Sequence, residues 1–123
     1  MRNPAEQMTW QAGVVMLDCT PWPRSIATAP NNRTAIEIIG PIDQIKQLSV
    51  VGQISDCITA TQTAAYLAMA IRLILPDWQG ANAWLTVSLR MIQRTPNAIT
   101  IDGWHLRMEW VRETATVTLK ATR

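Results

Sequence analysis

The stretch Ala98–Trp110, AITIDGWHLRMEW, decides how the chain is read. Asp102-Gly103 stands between two runs of alternating apolar residues, and an Asp-Gly pair supplies the positive backbone angles of a two-residue hairpin turn. Such a turn pairs Ile101 with Trp104 and Ile99 with Leu106, and puts Met108 and Trp110 on the same face. Turn chemistry and hydrophobic alternation are separate signals, and here both select one register.

A second reversal falls near Val111–Thr114. A two-residue loop there sets Trp110 opposite Ala115, Met108 opposite Val117, Leu106 opposite Leu119 and Trp104 opposite Ala121, large against small at both ends. Arg112-Glu113 is poor chemistry for so tight a turn, which argues for a longer loop; symmetric growth would leave the register intact. The other face is polar, with Thr100, His105 and Lys120 in one row, Ala98, Arg107 and Thr118 in the next, and Glu109 beside Thr116.

A sheet with one apolar face must lay it on something, and the cover lies upstream. Ala64, Leu67, Ala68, Ile71 and Leu75 recur at helical spacing after Thr59 or Thr61, either of which can cap a helix. Beyond Pro76, with Asp77 or Asn82 as cap, Ala81, Trp84, Leu85, Ser88, Leu89 and Ile92 form a second stripe. The predicted fold class is α+β. It comprises an antiparallel sheet with a C-terminal three-stranded meander (about 98–121), one face covered by an αα-hairpin (about 61–75 and 81–94).

The first third is harder to read, and the order of its strands is left open. Trp10–Asp18 reads as a strand with Gly13 as a bulge. Thr20-Pro21-Trp22-Pro23 should interrupt any ladder, because two of its residues lack a donor, and irregular loop is expected from there to Asn31-Asn32. Thr34–Ile39 is a strand stopped by Gly40-Pro41. A short helix from Pro41 to Leu48 is then expected, followed by a strand in which Leu48, Val50 and Ile54 alternate and Gly52 is a weak point.

With 123 residues, one domain over 1–123 is expected, and 48% apolar content excludes wholesale disorder. A net charge of +2 excludes an electrostatically dominated nucleic-acid clamp. The longest apolar run, Ala64–Leu75, contains Arg72 and rises about 18 Å as a helix, against about 30 Å for a bilayer core, so a buried core helix is expected and no membrane contact. The start of the chain lacks the basic-then-apolar profile of a secretory signal, and the cytoplasm is the expected location. Cys19 and Cys57 stand far apart without metal-ligand spacing, and two reduced, largely buried thiols are expected.

No phosphate-binding, nucleophile-elbow or zinc-protease motif occurs, and neither a metal nor a cofactor is expected. His105 with Arg107, Glu109 and Lys120 is the candidate polar-face ligand site; the plainer reading is a solvated histidine on an exposed strand. Met69, Met91 and Met108 with Trp84, Trp104 and Trp110 read as core. Trp10, Trp22 and Trp78 are left over, in loops or at element ends, and are the candidate interaction residues.

The leading expectation is a small intracellular protein-interaction or regulatory module without catalytic activity, homodimeric or binding another protein. The alternative is a small-molecule binding protein or enzyme using the face around His105, which requires a concave pocket there. Third comes a weak nucleic-acid binder using Arg90 and Arg94.

Overall fold

The computed structural model describes residues 8–17, 19–30 and 33–123. Among these, the chain runs β1 (Thr9–Leu17), β2 (Thr20–Thr28), β3 (Thr34–Ile39), β4 (Gln47–Gln53), α1 (Cys57–Ile74), α2 (Ala81–Met91), β5 (Asn97–Ile101), β6 (Trp104–Val111) and β7 (Thr116–Thr122). The seven strands form one sheet in the order β1-β2-β3-β4-β7-β6-β5, and every neighbouring pair is antiparallel. Two meanders, β1–β4 and β5–β7, are joined where β4 pairs with β7. The α1–α2 hairpin carries the chain from β4 to β5 across one face of the sheet.

That face is the core. Ile36, Ile38, Leu48, Val50, Leu106, Met108, Val117 and Leu119 are buried from the sheet side, and Leu67, Ile71, Leu85 and Ile92 from the helices. The α+β class, the C-terminal meander and the helical cover all stand as the sequence predicts. Trp104 and Met108 lie in the core, while Met69, Trp84 and Trp110 pack at its rim.

The first hairpin has the predicted register, with Ile101 opposite Trp104 and Ile99 opposite Leu106. The second does not. Val111 pairs with Thr116, so Trp110 faces Val117, Met108 faces Leu119 and Leu106 faces Ala121, two residues away from expectation. The loop is four residues long, a 3₁₀ turn over Arg112–Thr114 followed by Ala115 at φ 50°. An even shift keeps every side chain on its predicted face, because the strand period is two. Trp104 is left beyond the end of the ladder, where the Arg123 guanidinium lies 4.9 Å from its ring centre.

Three N-terminal expectations are corrected. Thr20–Thr28 is a strand along its whole length, paired with β1 from Leu17–Thr20 to Thr9–Thr28. Pro21 and Pro23 are tolerated because they alternate. The Pro23 carbonyl accepts from Gly40 N–H on the β3 side, so the missing donors of both prolines point away from β1, where β3 has ended. The β1 ladder runs through Gly13 opposite Arg24 without a bulge. No helix forms over Pro41–Leu48; the chain makes a tight turn closed by Gln44 N–H to Pro41 carbonyl and Lys46 N–H to Ile39 carbonyl. Gly40 takes φ +105° there, and a Cβ on it would meet the Gln44 carbonyl oxygen at 2.8 Å. The expected ends at Asp18 and at Asn31-Asn32 lie outside the described residues.

α1 begins four residues before its expected start at 61, and its cap is Asp56. The Asp56 carboxylate accepts from Thr59 N–H at 2.8 Å while the Thr59 hydroxyl accepts from Asp56 N–H at 3.0 Å, a capping box in which threonine plays the usual glutamate part. Those bonds from Thr59 hold the Asp56 carboxyl below its ordinary value. Gly80 precedes α2 in place of a side-chain cap, and α2 ends at Met91, short of the predicted Arg94. α1, at 18 residues, is long and apolar enough by length and composition to cross a membrane, and here it lays Thr63, Tyr66, Leu67, Ala70 and Ile71 into the core. Cys19 and Cys57 are both free but exposed, not buried as expected.

Candidate functional site

Among the described residues no helix covers the second face of the sheet, and the register lays its side chains out in rows. One row reads Ile26, Glu37, Ser49, Lys120, Arg107 and Ala98 across β2, β3, β4, β7, β6 and β5. The row on one side reads Arg24, Ile39, Gln47, Thr122, His105 and Thr100; the row on the other reads Thr28, Ala35, Val51, Thr118 and Glu109. The shift in the β6–β7 register therefore moves Lys120 from the predicted place opposite His105 to one opposite Arg107. All four predicted polar-face residues share this surface, but His105 faces Thr122.

Two ion pairs organise the face. Arg24 donates to Glu37 from Nε at 2.9 Å and from a terminal nitrogen at 2.6 Å. Arg107 Nε donates to Glu109, two residues along the same strand. His105 Nδ1 lies 3.1 Å from the Thr100 hydroxyl, so its partner is a neighbour across the hairpin and not the Asp102 carboxylate. Lys120 and Arg107 oppose each other directly, an unfavourable cross-strand pairing that leaves a surplus of positive charge mid-sheet.

A cavity of about 490 Å³ lies on this face, between Ser49, Val51, His105, Arg107, Glu109, Thr118, Lys120 and Thr122. Its lining is mostly apolar although most of the residues around it are polar. The His105 ring meets the Thr100 hydroxyl, an imidazole–hydroxyl pair to which no carboxylate is hydrogen-bonded among the described residues. Among the described residues no three His, Cys, Asp or Glu side chains gather as metal ligands would.

The three leftover tryptophans do not gather. Trp10, opposite Ala27, lies on the helix-side face of the sheet, while Trp22, opposite Val15, lies on the other. Trp22 is half-buried with the Lys46 ammonium 4.8 Å from its ring centre. Trp78 packs against Trp84 at 5.9 Å between ring centres and against the core. Trp10 is the exposed one, and it stands on the outermost strand with Val14 and Met16. The alternation of Trp10, Ala12, Val14 and Met16 was visible as a strand signal, but nothing in the sequence marked that strand as the sheet edge.

A second cavity, about 730 Å³, lies where β6 runs on past the end of β5, lined among others by Arg94, Arg107, Glu109, Trp110 and Arg112. It meets the sheet-face groove at Arg107 and Glu109. Sequence reasoning singled out Arg94 on α2 but not its convergence with Arg112, which depends on the four-residue loop.

No known family profile matches the chain, and no curated protein or solved structure resembles it significantly.

Proposed function

We propose that the protein is a small, non-catalytic interaction module that assembles with a second copy of itself through β1. One observation carries this reading. β1 is an outermost strand of nine residues with no charged side chain, and it exposes Val14 (69%), Met16 (60%) and Trp10 (42%). Sheet edges that stay unpaired are defended by charges, prolines, bulges or short length, and β1 has none of these.

The occupant argued for is another β1, because the strand complements itself. An antiparallel copy centred on Gly13 places Trp10 opposite Met16 and Ala12 opposite Val14 on the helix-side face, each large residue meeting a thinner one. Gln11 opposite Val15 and Thr9 opposite Leu17 follow on the other face. A Cβ at Gly13 would meet nothing within 4 Å among the described residues, which leaves room at the centre of this interface. Every contact then occurs twice about a twofold axis, as a closed dimer requires.

Sedimentation across a micromolar concentration series tests this. The expected result is a reversible dimer, with Val14→Lys running as a monomer while its circular dichroism stays that of the wild type. A monomer throughout, or a dimer that Val14→Lys leaves intact, sinks the reading.

The groove beside His105 favours a second reading, a small-molecule site on the open sheet face, since its volume falls within the range of about 300–1,000 Å³ typical of ligand pockets. It predicts amide shifts confined to Val51, Thr118 and Lys120 when an amphipathic fragment library is titrated. Shifts spread evenly over the surface, or none, would remove it.

A further inference from the structure

We infer that the notch at the end of β5 is a binding site for a small phosphate monoester, held by Arg94, Arg107 and Arg112. β5 ends where Asn97 pairs with Met108, while β6 continues to Val111, so the edge of the sheet is indented by the difference. The turn after α2, Ile92–Pro96, and Arg112 border the indentation, an open cavity of about 730 Å³. Three arginines from three separate segments border that one cavity beside a single acidic residue, in a chain whose overall charge is only +2.

The arrangement of the four charges indicates the size of the ligand. Glu109 takes the Nε–H of Arg107, which fixes the guanidinium and leaves its terminal nitrogens for another acceptor. The side chains of Arg94 and Arg112 are exposed and make no hydrogen bond or ion pair among the described residues. Planar guanidinium forks match the oxygens of a phosphate two at a time, and three forks around one volume suit a compact dianion. A long polyanion would instead have to run past the Glu109 carboxylate. The C-terminal end of α2 is a poor place for an anion in principle, because free carbonyls point out of it. That objection is weakened here: the Met91 carbonyl already accepts from Arg94 N–H and Thr95 N–H, both at 2.9 Å. The half-buried indole of Trp110 in the same lining supplies a flat apolar surface for the organic part of the ester.

The site lies at the far side of the sheet from β1, so it stands or falls independently of self-association. Isothermal titration and heteronuclear NMR with inorganic phosphate, a nucleoside monophosphate and a short single-stranded oligonucleotide test it on the full chain. Both small phosphates should bind, the ester more tightly, with shifts at the Trp110 indole N–H. Arg94→Gln and Arg112→Gln should each weaken binding about tenfold, as the loss of one charge-assisted hydrogen bond would. Lys120→Gln and His105→Ala should leave it unchanged. The proposal is overturned if neither phosphate binds, if the double arginine variant binds as wild type does, or if Lys120→Gln weakens binding as much as Arg112→Gln. Preference for the oligonucleotide over both small phosphates also overturns it, in favour of nucleic-acid binding.

Discussion

Gly52→Ala should destabilise the protein by about 2 kcal/mol, although alanine is normally the easier residue to place in a strand. Gly52 lies in β4 directly beneath α1, and a Cβ on it would sit 2.5 Å from Thr63 Cγ2 and 2.9 Å from Thr63 Oγ1. Thr63 cannot move aside easily. It is buried, β-branched on a helix that restricts its rotamers, and its hydroxyl is 3.4 Å from the Gln53 carbonyl. The strand and helix must therefore separate, and that opens the packing of Val50, Leu67 and Ile71 around the contact. In a Thr63→Ala background the same substitution should cost about 1 kcal/mol or less, because the two closest atoms are gone and only the Cβ of residue 63, at 3.2 Å, is left to give way. Urea unfolding of the four proteins of this cycle reads the coupling directly. Equal costs of Gly52→Ala in both backgrounds would show that α1 does not press on β4 at this point.

Gly52 also shows what the sequence could and could not convey. A glycine in a strand is legible as a weak point, but its use as the place where a helix backs onto the sheet depends on which helix crosses which strand. The C-terminal meander was readable because Asp102-Gly103 names its turn type and the flanking alternation agrees. The next turn was misjudged by two residues because its left-handed position is filled by Ala115, a residue that gives no sign of positive φ. Since the shift was even, the faces survived and only the cross-strand neighbours changed, which moved Lys120 from His105 to Arg107. Proline spacing misled in the opposite way. Two prolines in Thr20–Pro23 read as a break, yet alternate prolines lose donors on one side only, and on that side β2 pairs with β3 only from Arg24 onward. Strand order lies further out of reach. β7 between β4 and β6 is a long-range choice, and it alone builds the open polar face and leaves β1 outermost.

Leu67→Ala should cost about 3 kcal/mol, while Ile58→Ala on the same helix should cost less than about 0.5 kcal/mol. Leu67 is completely buried between α1 and the sheet; Ile58 is 69% exposed. The contrast matters because α1 is apolar enough in composition for two quite different environments. Its 18 residues rise about 27 Å, close to the thickness of a bilayer core of about 30 Å. In lipid, every face of such a helix would be covered and its polar side chains would be the costly ones. On the sheet, one face is covered by Val50 and its neighbours, and Thr61, Gln62 and Arg72 on the outside meet water. Only the second environment makes the two leucine-to-alanine-type truncations differ. Denaturant unfolding of the purified variants in plain buffer decides it. If Ile58→Ala were as damaging as Leu67→Ala, the outer face of α1 would have to be covered by something, and the helix would no longer be an ordinary core helix. A difference of the expected size places the driving force for its docking in the buried stripe from Thr63 to Ile71, with the capping box at Asp56 setting where the helix begins.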